Sequence, residues 1–152
     1  MFGILEDILD NAKLLDETEA WFFVIDRELQ DEIVRLNTQD QLYEDGIDSL
    51  NRKLGGDGKY SPYTITLKRQ KGQRVDHITL KDTGAFYNSF KVTVNSRGFT
   101  IVADDKSHYD VPLTDDFGID ILGLTEDNKS WLYDFLIDKY LEYVERKLLP
   151  KY

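Results

Sequence analysis

The residues best suited to chemistry lie between Asp104 and Asp120, where Asp104, Asp105, Asp110, Asp115, Asp116 and Asp120 face a single base, Lys106. Clustered carboxylates can bind Mg²⁺ or Ca²⁺ through oxygen, and a metal-dependent nuclease needs such a cluster. No Asp-x-Asp-x-Asp-Gly loop with a distal Glu is present, here or at Asp45 to Asp48, so the segment reads first as a solvated acidic loop or a subunit contact. Ser107, His108 and Asp110 contain the residue types of a nucleophilic triad, but near-neighbours in sequence rarely converge as a triad requires. No Gly-x-Ser-x-Gly elbow occurs, and the only histidines are His77 and His108. Gly55-Gly56-Asp57-Gly58-Lys59 lacks the spacing of a phosphate loop and has no β-branched strand leading into it, which leaves a flexible turn. The chain has no cysteine, so thiolate chemistry, disulfides and zinc-thiolate sites are excluded.

A second charged stretch has the opposite sign. Arg52, Lys53, Lys59, Lys68, Arg69, Lys71 and Arg74 are interrupted by one acid, Asp57. With Tyr60, Tyr63 and His77 nearby, this segment has the makings of a phosphate-backbone contact. The net charge of −10 and the lack of a DNA-reading motif argue against specific nucleic-acid binding. The pairing expected instead is between neighbouring copies. Arg52, Lys53, Lys68, Arg69, Lys71 and Arg74 of one subunit would meet Asp104, Asp105, Asp110, Asp115 and Asp116 of the next, a head-to-tail contact that closes into a ring if the rotation permits.

At 152 residues with 41% hydrophobic content, the chain fits one domain able to bury a sizeable core. No apolar run is long enough to span a bilayer, and the acidic start Met1 to Asp7 lacks the basic region of a signal peptide. Ile4, Leu5, Ile8, Leu9, Ala12 and Leu15 predict a helix over 3–15. Phe22, Ile25, Leu29, Ile33 and Leu36 predict a second over 18–37, with Thr18 as a plausible N-cap. In that helix Phe22 and Ile25 define the inward face, and one of the flanking Trp21 and Phe23 is left for a partner.

Residues 44–82 read as loop-rich. Within them Pro62 suits the start of a short helix to Lys71, whereas Thr64, Ile65 and Thr66 pull toward strand. His77 to Leu80 suit a short strand or an extended approach to a turn. Asp82 and Thr83 can cap a helix start, Gly84 frees the backbone there, and Phe86 and Phe90 share one face of the short helix that follows. Lys91 to Asn95 and Phe99 to Ala103 form a hairpin across Ser96-Arg97-Gly98, the whole unit spanning 90–104. Because two strands alone are marginal, a third or fourth is expected from Val111–Leu113 or Ile119–Leu122. After the acidic loop 104–124, Thr125 caps a helix over 126–148 with a stripe of Leu132, Phe135, Leu136, Tyr140, Tyr143, Val144 and Leu148. The fold class is α+β, with the N- and C-terminal helices packed on a small antiparallel sheet that contains the hairpin.

The stretch Leu80-Lys81-Asp82-Thr83-Gly84-Ala85-Phe86-Tyr87-Asn88-Ser89-Phe90 resembles the Leu-x-Asp-Thr-Gly-x-Phe/Leu-x-x-Ser segment that precedes a hairpin in tail-completion and virion-morphogenesis proteins of tailed bacteriophages. Gln41-Leu42, Gly46-Ile47-Asp48-Ser49, Tyr60-Ser61-Pro62-x-Thr64 and Lys68 to Gly72-Gln73 are similar to the upstream part of such proteins, especially those of Bacteroides-type phages and prophages. Phe117-Gly118 and Leu122-Gly123-Leu124-Thr125 fit the downstream part, so the likeness runs over residues 20–148. One departure is Leu50-Asn51-Arg52-Lys53, where these proteins often carry a glycine turn.

The resemblance implies a structural, non-enzymatic protein of the virion head–tail junction, assembled in the host cytoplasm. It implies a homo-oligomeric ring, a hexamer or dodecamer, whose partners are other neck, connector or tail proteins. DNA would pass only non-specifically, and no cofactor, metal or membrane is implied. Asp82, Thr83, Gly84, Phe86, Ser89 and Phe90 are its signature positions. The contrasting expectations are a small metal-dependent enzyme acting on nucleic acid through the acidic loop, and a monomeric protein-binding module.

Overall fold

Local capping signals set the second and third helices. A computed structural model describes residues 2–106 and 111–149. Helix α1 spans Phe2–Lys13, α2 Glu17–Val24 and α3 Arg27–Arg35. The helix predicted over 18–37 is therefore two, and its N-cap is Asp16 rather than Thr18. The break has a clear cause. Asp26 adopts an extended conformation and its carboxylate accepts the Leu29 N–H at 2.9 Å, while the Gln30 amide reaches back to the Ile25 carbonyl at 3.0 Å. A cap on one side and a side-chain donor on the other satisfy the groups exposed by the break. Periodicity misses it because Ile25 and Leu29 are both buried and the apolar rhythm runs straight through.

Helix α3 passes into a π-helix, Leu36–Asp45, that ends at Gly46 in the left-handed region with φ 63°. The following segment folds back so that Ile47 pairs with Lys53 across a tight turn. Asn51 sits there at φ 59°, a conformation that glycine takes most readily and asparagine tolerates. Helix α4, Pro62–Gln70, has Pro62 in its first turn and Ser61 as N-cap, which resolves the helix–strand ambiguity in favour of helix. Residues 77–80 make no strand, and Leu80 turns the chain at φ 57° before Asp82. Helix α5, Ala85–Asn88, leads into strands β1, Lys91–Asn95, and β2, Gly98–Val102. These pair antiparallel with Val92 opposite Ile101 and Asn95 opposite Gly98.

Among the described residues the sheet has two strands, not three or four. Of the stretches expected to extend it, Leu113 opens helix α6, Leu113–Phe117, and Ile119–Ile121 form a 3₁₀ turn; the bridge Lys106–Pro112 and the bonds of Leu113 and Thr114 to Asp105 tie this part to the segment after the hairpin. The hairpin is stabilised instead by packing β1 on α2 and α3. The chain is thus a mostly helical α+β domain. Helix α7, Glu126–Leu148, capped by Thr125, runs past α1 and α2. Ile25, Ile33, Leu42, Ile121 and Leu132 form the innermost core.

The predicted apolar stripe of α7 is split. Leu132, Leu136 and Tyr143 are buried, whereas Phe135 and Tyr140 are about half exposed, at 45% and 48%. Around α2 the expected inward face holds at Ile25, which is buried, but not at Phe22, which is exposed, while Trp21 and Phe23 are both half-buried against the core. Among the described residues no helix is long and apolar enough to cross a membrane.

Candidate functional site

The signature stretch is built on Thr79, whose every polar group is engaged. The Thr79 N–H donates to the Tyr60 hydroxyl at 2.9 Å, and its hydroxyl accepts the Lys81 N–H at 3.2 Å. The Tyr87 hydroxyl donates to the Thr79 carbonyl. Burial pushes the Tyr87 phenol above its usual range, which keeps the proton available for that bond. Helix α4 docks on the next residues through its polar groups. The buried Lys68 ammonium donates to the Lys81 carbonyl at 2.8 Å and lies 5.0 Å above the Tyr60 ring. Lys71 donates to the Asp82 carboxylate at 2.7 Å and Gln73 to the Asp82 carbonyl at 2.8 Å. The Lys71 contact holds the Asp82 carboxyl below the usual carboxylate range. Asp82 therefore ties α4 to the turn rather than capping α5.

The N-cap position falls to Gly84 at φ 88°, with the Thr83 hydroxyl accepting the Ala85 N–H at 3.2 Å. Phe86 and Phe90 meet edge to face with centroids 4.9 Å apart, inside a cluster that includes Tyr87. Ser89 closes the unit by donating to the Phe86 carbonyl at 2.6 Å and accepting the Asp104 N–H at 2.9 Å. Asp82, Thr83, Gly84, Phe86, Ser89 and Phe90 thus occupy one continuous turn–helix unit at the base of the hairpin.

A second lock was not predicted. Asn37 and Gln41 project from the π-helix onto the segment before α7, and both are almost wholly buried. Asn37 donates to the Ile121 carbonyl at 3.0 Å and accepts the Gly123 N–H at 2.8 Å. Gln41 donates to the Gly123 carbonyl at 2.8 Å and accepts from the Thr125 N–H at 2.9 Å and the Asn128 amide at 2.8 Å. Two primary amides, each donating and accepting, replace the ladder that a neighbouring strand would supply. The signal in the sequence is a pair of amides four apart on the buried side of a helix that also carries Ile33 and Leu36.

The basic segment finds many of its partners within the chain. Arg52 bridges Asp48 and Asp120, each at 2.8 Å, so one contact between the basic and acidic segments is intramolecular. Arg74 pairs with Asp76 at 2.6 Å and Glu44 at 3.1 Å, and holds the Asp76 carboxyl down at about 2. Lys68 is enclosed beneath the Lys81 carbonyl, and Lys71 is engaged by Asp82. Lys53 and Arg69 are exposed and make no ion pair among the described residues.

In the acidic segment, Asp105 accepts the Thr114 hydroxyl, which holds its carboxyl below the usual range. Asp104 accepts the Lys106 N–H at 3.4 Å, and Asp115 and Asp116 are exposed in the first turn of α6. Asp110, with Ser107 and His108, lies outside the described residues. Among those described, no group of three or more acids or histidines is placed to hold a metal ion. His77 donates to the Tyr43 carbonyl at 2.7 Å, beside Asp76. The glycine turn 55–58 closes on the approach segment, its Gly58 carbonyl accepting the Ile78 N–H at 2.9 Å.

Chemically, these arrangements fix backbone and orient the hairpin and loops; of the residues expected at a subunit contact, Lys53, Arg69, Asp104, Asp115 and Asp116 are exposed and make no ion pair among the described residues. Comparison of the chain with protein-family models, with curated proteins and with solved structures found no match.

Proposed function

We propose that this chain is a non-enzymatic structural protein of a tailed-phage or prophage virion, a tail-completion or neck component that joins head connector to tail as a ring. One observation carries the reading. Gln41, Asp48, Tyr60, Lys68, Gln73 and Asp82 belong to the stretches that resemble such proteins, and each makes a hydrogen bond that sets the path of a loop or turn. A set of residues devoted to loop geometry suits a protein whose task is to present rigid surfaces to neighbours. The same unit leads directly into the hairpin. Contact between copies falls to Lys53 and Arg69 on one side and Asp104, Asp115 and Asp116 on the other, since Arg52, Lys68, Lys71 and Arg74 are engaged within the chain. The acidic surface would let DNA pass without adhering. Its partners are other neck, connector or tail proteins at the head–tail junction, met after assembly in the host cytoplasm.

Native mass spectrometry across protein concentration and salt tests the proposal. A six-fold or twelve-fold species weakened by salt is the expected result. A chain that neither forms such a species nor binds a purified phage connector or tail would refute it. Mn²⁺ binding by calorimetry tighter than roughly millimolar, with ligands mapping to the acidic loop, would favour the metal-dependent enzyme instead.

A further inference from the structure

Helix α1 is joined to the rest of the chain by little. Of its described side chains none is buried and none belongs to the hydrophobic core. Ile8 and Asn11 are half-buried, and α7 is the element the helix lies along. Among the described residues, its one side-chain hydrogen bond to α7 runs from the Asn11 amide to the Leu148 carbonyl at 3.3 Å. The ion pair of Lys13 with Asp10, at 2.7 Å, stays within the helix. Ile4, Leu5 and Leu9 remain 48%, 55% and 62% exposed, so tertiary burial adds little to the helical state. A helix of 12 residues is marginal in water when packing does not support it.

The rest of the fold has its own beginning, just past Leu15. The hydroxyl of the buried Tyr143 lies 3.2 Å from the Asp16 carbonyl and 3.1 Å from the Glu19 carboxylate, donating to one or the other, and accepts the Asp16 N–H at 3.4 Å. The Asp16 carboxylate caps α2 by accepting the Glu19 N–H at 2.7 Å, and Lys147 pairs with Glu19 at 2.6 Å. Every group in this clamp lies at Asp16 or beyond, so none of its bonds is lost when α1 departs. Between helix and clamp lie only Leu14 and Leu15, whose N–H groups bond back to the Asn11 and Ala12 carbonyls of α1 itself. With α1 on one side and the clamp to α7 on the other, Leu14–Leu15 is the joint.

We propose that α1 is a hinged arm: it leaves α7 about Leu14–Leu15 and melts as a unit, while the chain from Asp16 onward stays folded. The strapped state covers the last turn of α7 at Leu148, and release uncovers it. The cause is the contrast in attachment. One half-buried isoleucine and one long hydrogen bond hold the arm, so opening costs a small part of what global unfolding costs. The inference does not rest on the virion reading, because Lys53, Arg69, Asp104, Asp115 and Asp116 all lie outside α1.

Hydrogen exchange of the full chain, in water and in sub-denaturing urea, is the first measurement. Amides of residues 7–13 should show protection below about 100-fold that urea barely changes, because local opening exposes little surface. Amides around Leu132 and Leu136 should exchange at least ~1,000-fold more slowly, through unfolding of the whole domain. Asp7→Pro, at an exposed position, should abolish α1 and lower the helical circular dichroism. Trp21 and Trp131 both lie outside α1, so urea unfolding read by their fluorescence should change the folding constant by less than about threefold. Tyr143→Phe should let fast exchange spread past Asp16 into the first turns of α2. Exchange in α1 as slow and as urea-dependent as in α7 overturns the proposal, as does a folding constant that falls beyond threefold in Asp7→Pro. Unchanged α2 exchange in Tyr143→Phe would overturn the clamp as the arm's limit. A salt-weakened ring together with slow α1 exchange would sink this inference and leave the virion reading standing.

Discussion

Replacing Gln41 by leucine should remove the clamp on the segment before α7 with little change in volume. The Gly123 carbonyl and the Thr125 N–H would each lose a partner, while the half-buried Asn128 amide can turn to water. A backbone group left unpaired costs about 1–3 kcal/mol when buried, so the buried Thr125 N–H and the part-buried Gly123 carbonyl, offset modestly by the added apolar surface, predict a loss of about 3 kcal/mol. That is a large share of the ~5–15 kcal/mol typical of a whole domain, and for a chain of this size it lowers the melting midpoint by about 6–12 °C. Urea unfolding followed by circular dichroism gives the difference directly. Gln39→Leu, exposed on the same π-helix, is the control and should lie within ~0.5 kcal/mol of the parent. Hydrogen exchange adds a local reading, since the Thr125 amide and the first turn of α7 should exchange faster in Gln41→Leu. If Gln41→Leu unfolds with the same midpoint as Gln39→Leu, the clamp contributes nothing and the reasoning fails.

Three further outcomes follow from other parts of the fold. At Gly46, φ is 63° and an added Cβ would lie 2.5 Å from the His77 ring, whereas at Gly84 φ is 88° and the nearest atom is 3.9 Å away. Gly46→Ala should therefore cost more than the ~1–2 kcal/mol expected for Gly84→Ala from backbone strain alone, and equal losses in thermal unfolding would contradict this. Tyr87→Phe leaves the Thr79 carbonyl without its donor and should destabilise by about 1–2 kcal/mol, measurable by the same urea assay; a neutral result would remove Thr79 as the anchor of the turn. Folded-state carboxyl values are depressed at Asp82 by Lys71, at Asp76 by Arg74, and at Asp26, where Lys139 and the Leu29 N–H outweigh desolvation. In each case the folded state stays ionised where the unfolded chain has already taken up a proton, so the contribution is complete above the ordinary carboxyl value of about 4 and is lost as pH falls through the depressed folded value, which for Asp76 is about 2. The melting midpoint should drop through that window, and less steeply in Asp26→Asn/Asp82→Asn; identical slopes would exclude these two groups.

Much of the architecture was legible because its causes are local. Ser61-Pro62 opens α4 and Thr125 opens α7 through a side-chain oxygen and, for proline, a preset φ, all within a few residues of chain. The four-residue spacing of Phe86 and Phe90 puts both rings on one face, and the Lys91 to Val102 alternation gives the hairpin. The absence of cysteine and the separation of basic from acidic segments are likewise properties of composition alone.

What tertiary structure decided depends on partners far away in the chain. Gln41 and Asn37 read as ordinary helix amides until the backbone of 121–125, more than eighty positions on, arrives to be bound. Asp82 has the chemistry of a cap, yet Lys71 and Gln73 compete for it and win, since a charged donor close by favours the carboxylate more than a single N–H does. The third strand expected from the marginal stability of a lone hairpin is not needed, because β1 packs on α2 and α3. Which side of α7 faces inward was also settled by α1 and α2: apolar residues surround that helix, and spacing alone does not select among faces that are all hydrophobic.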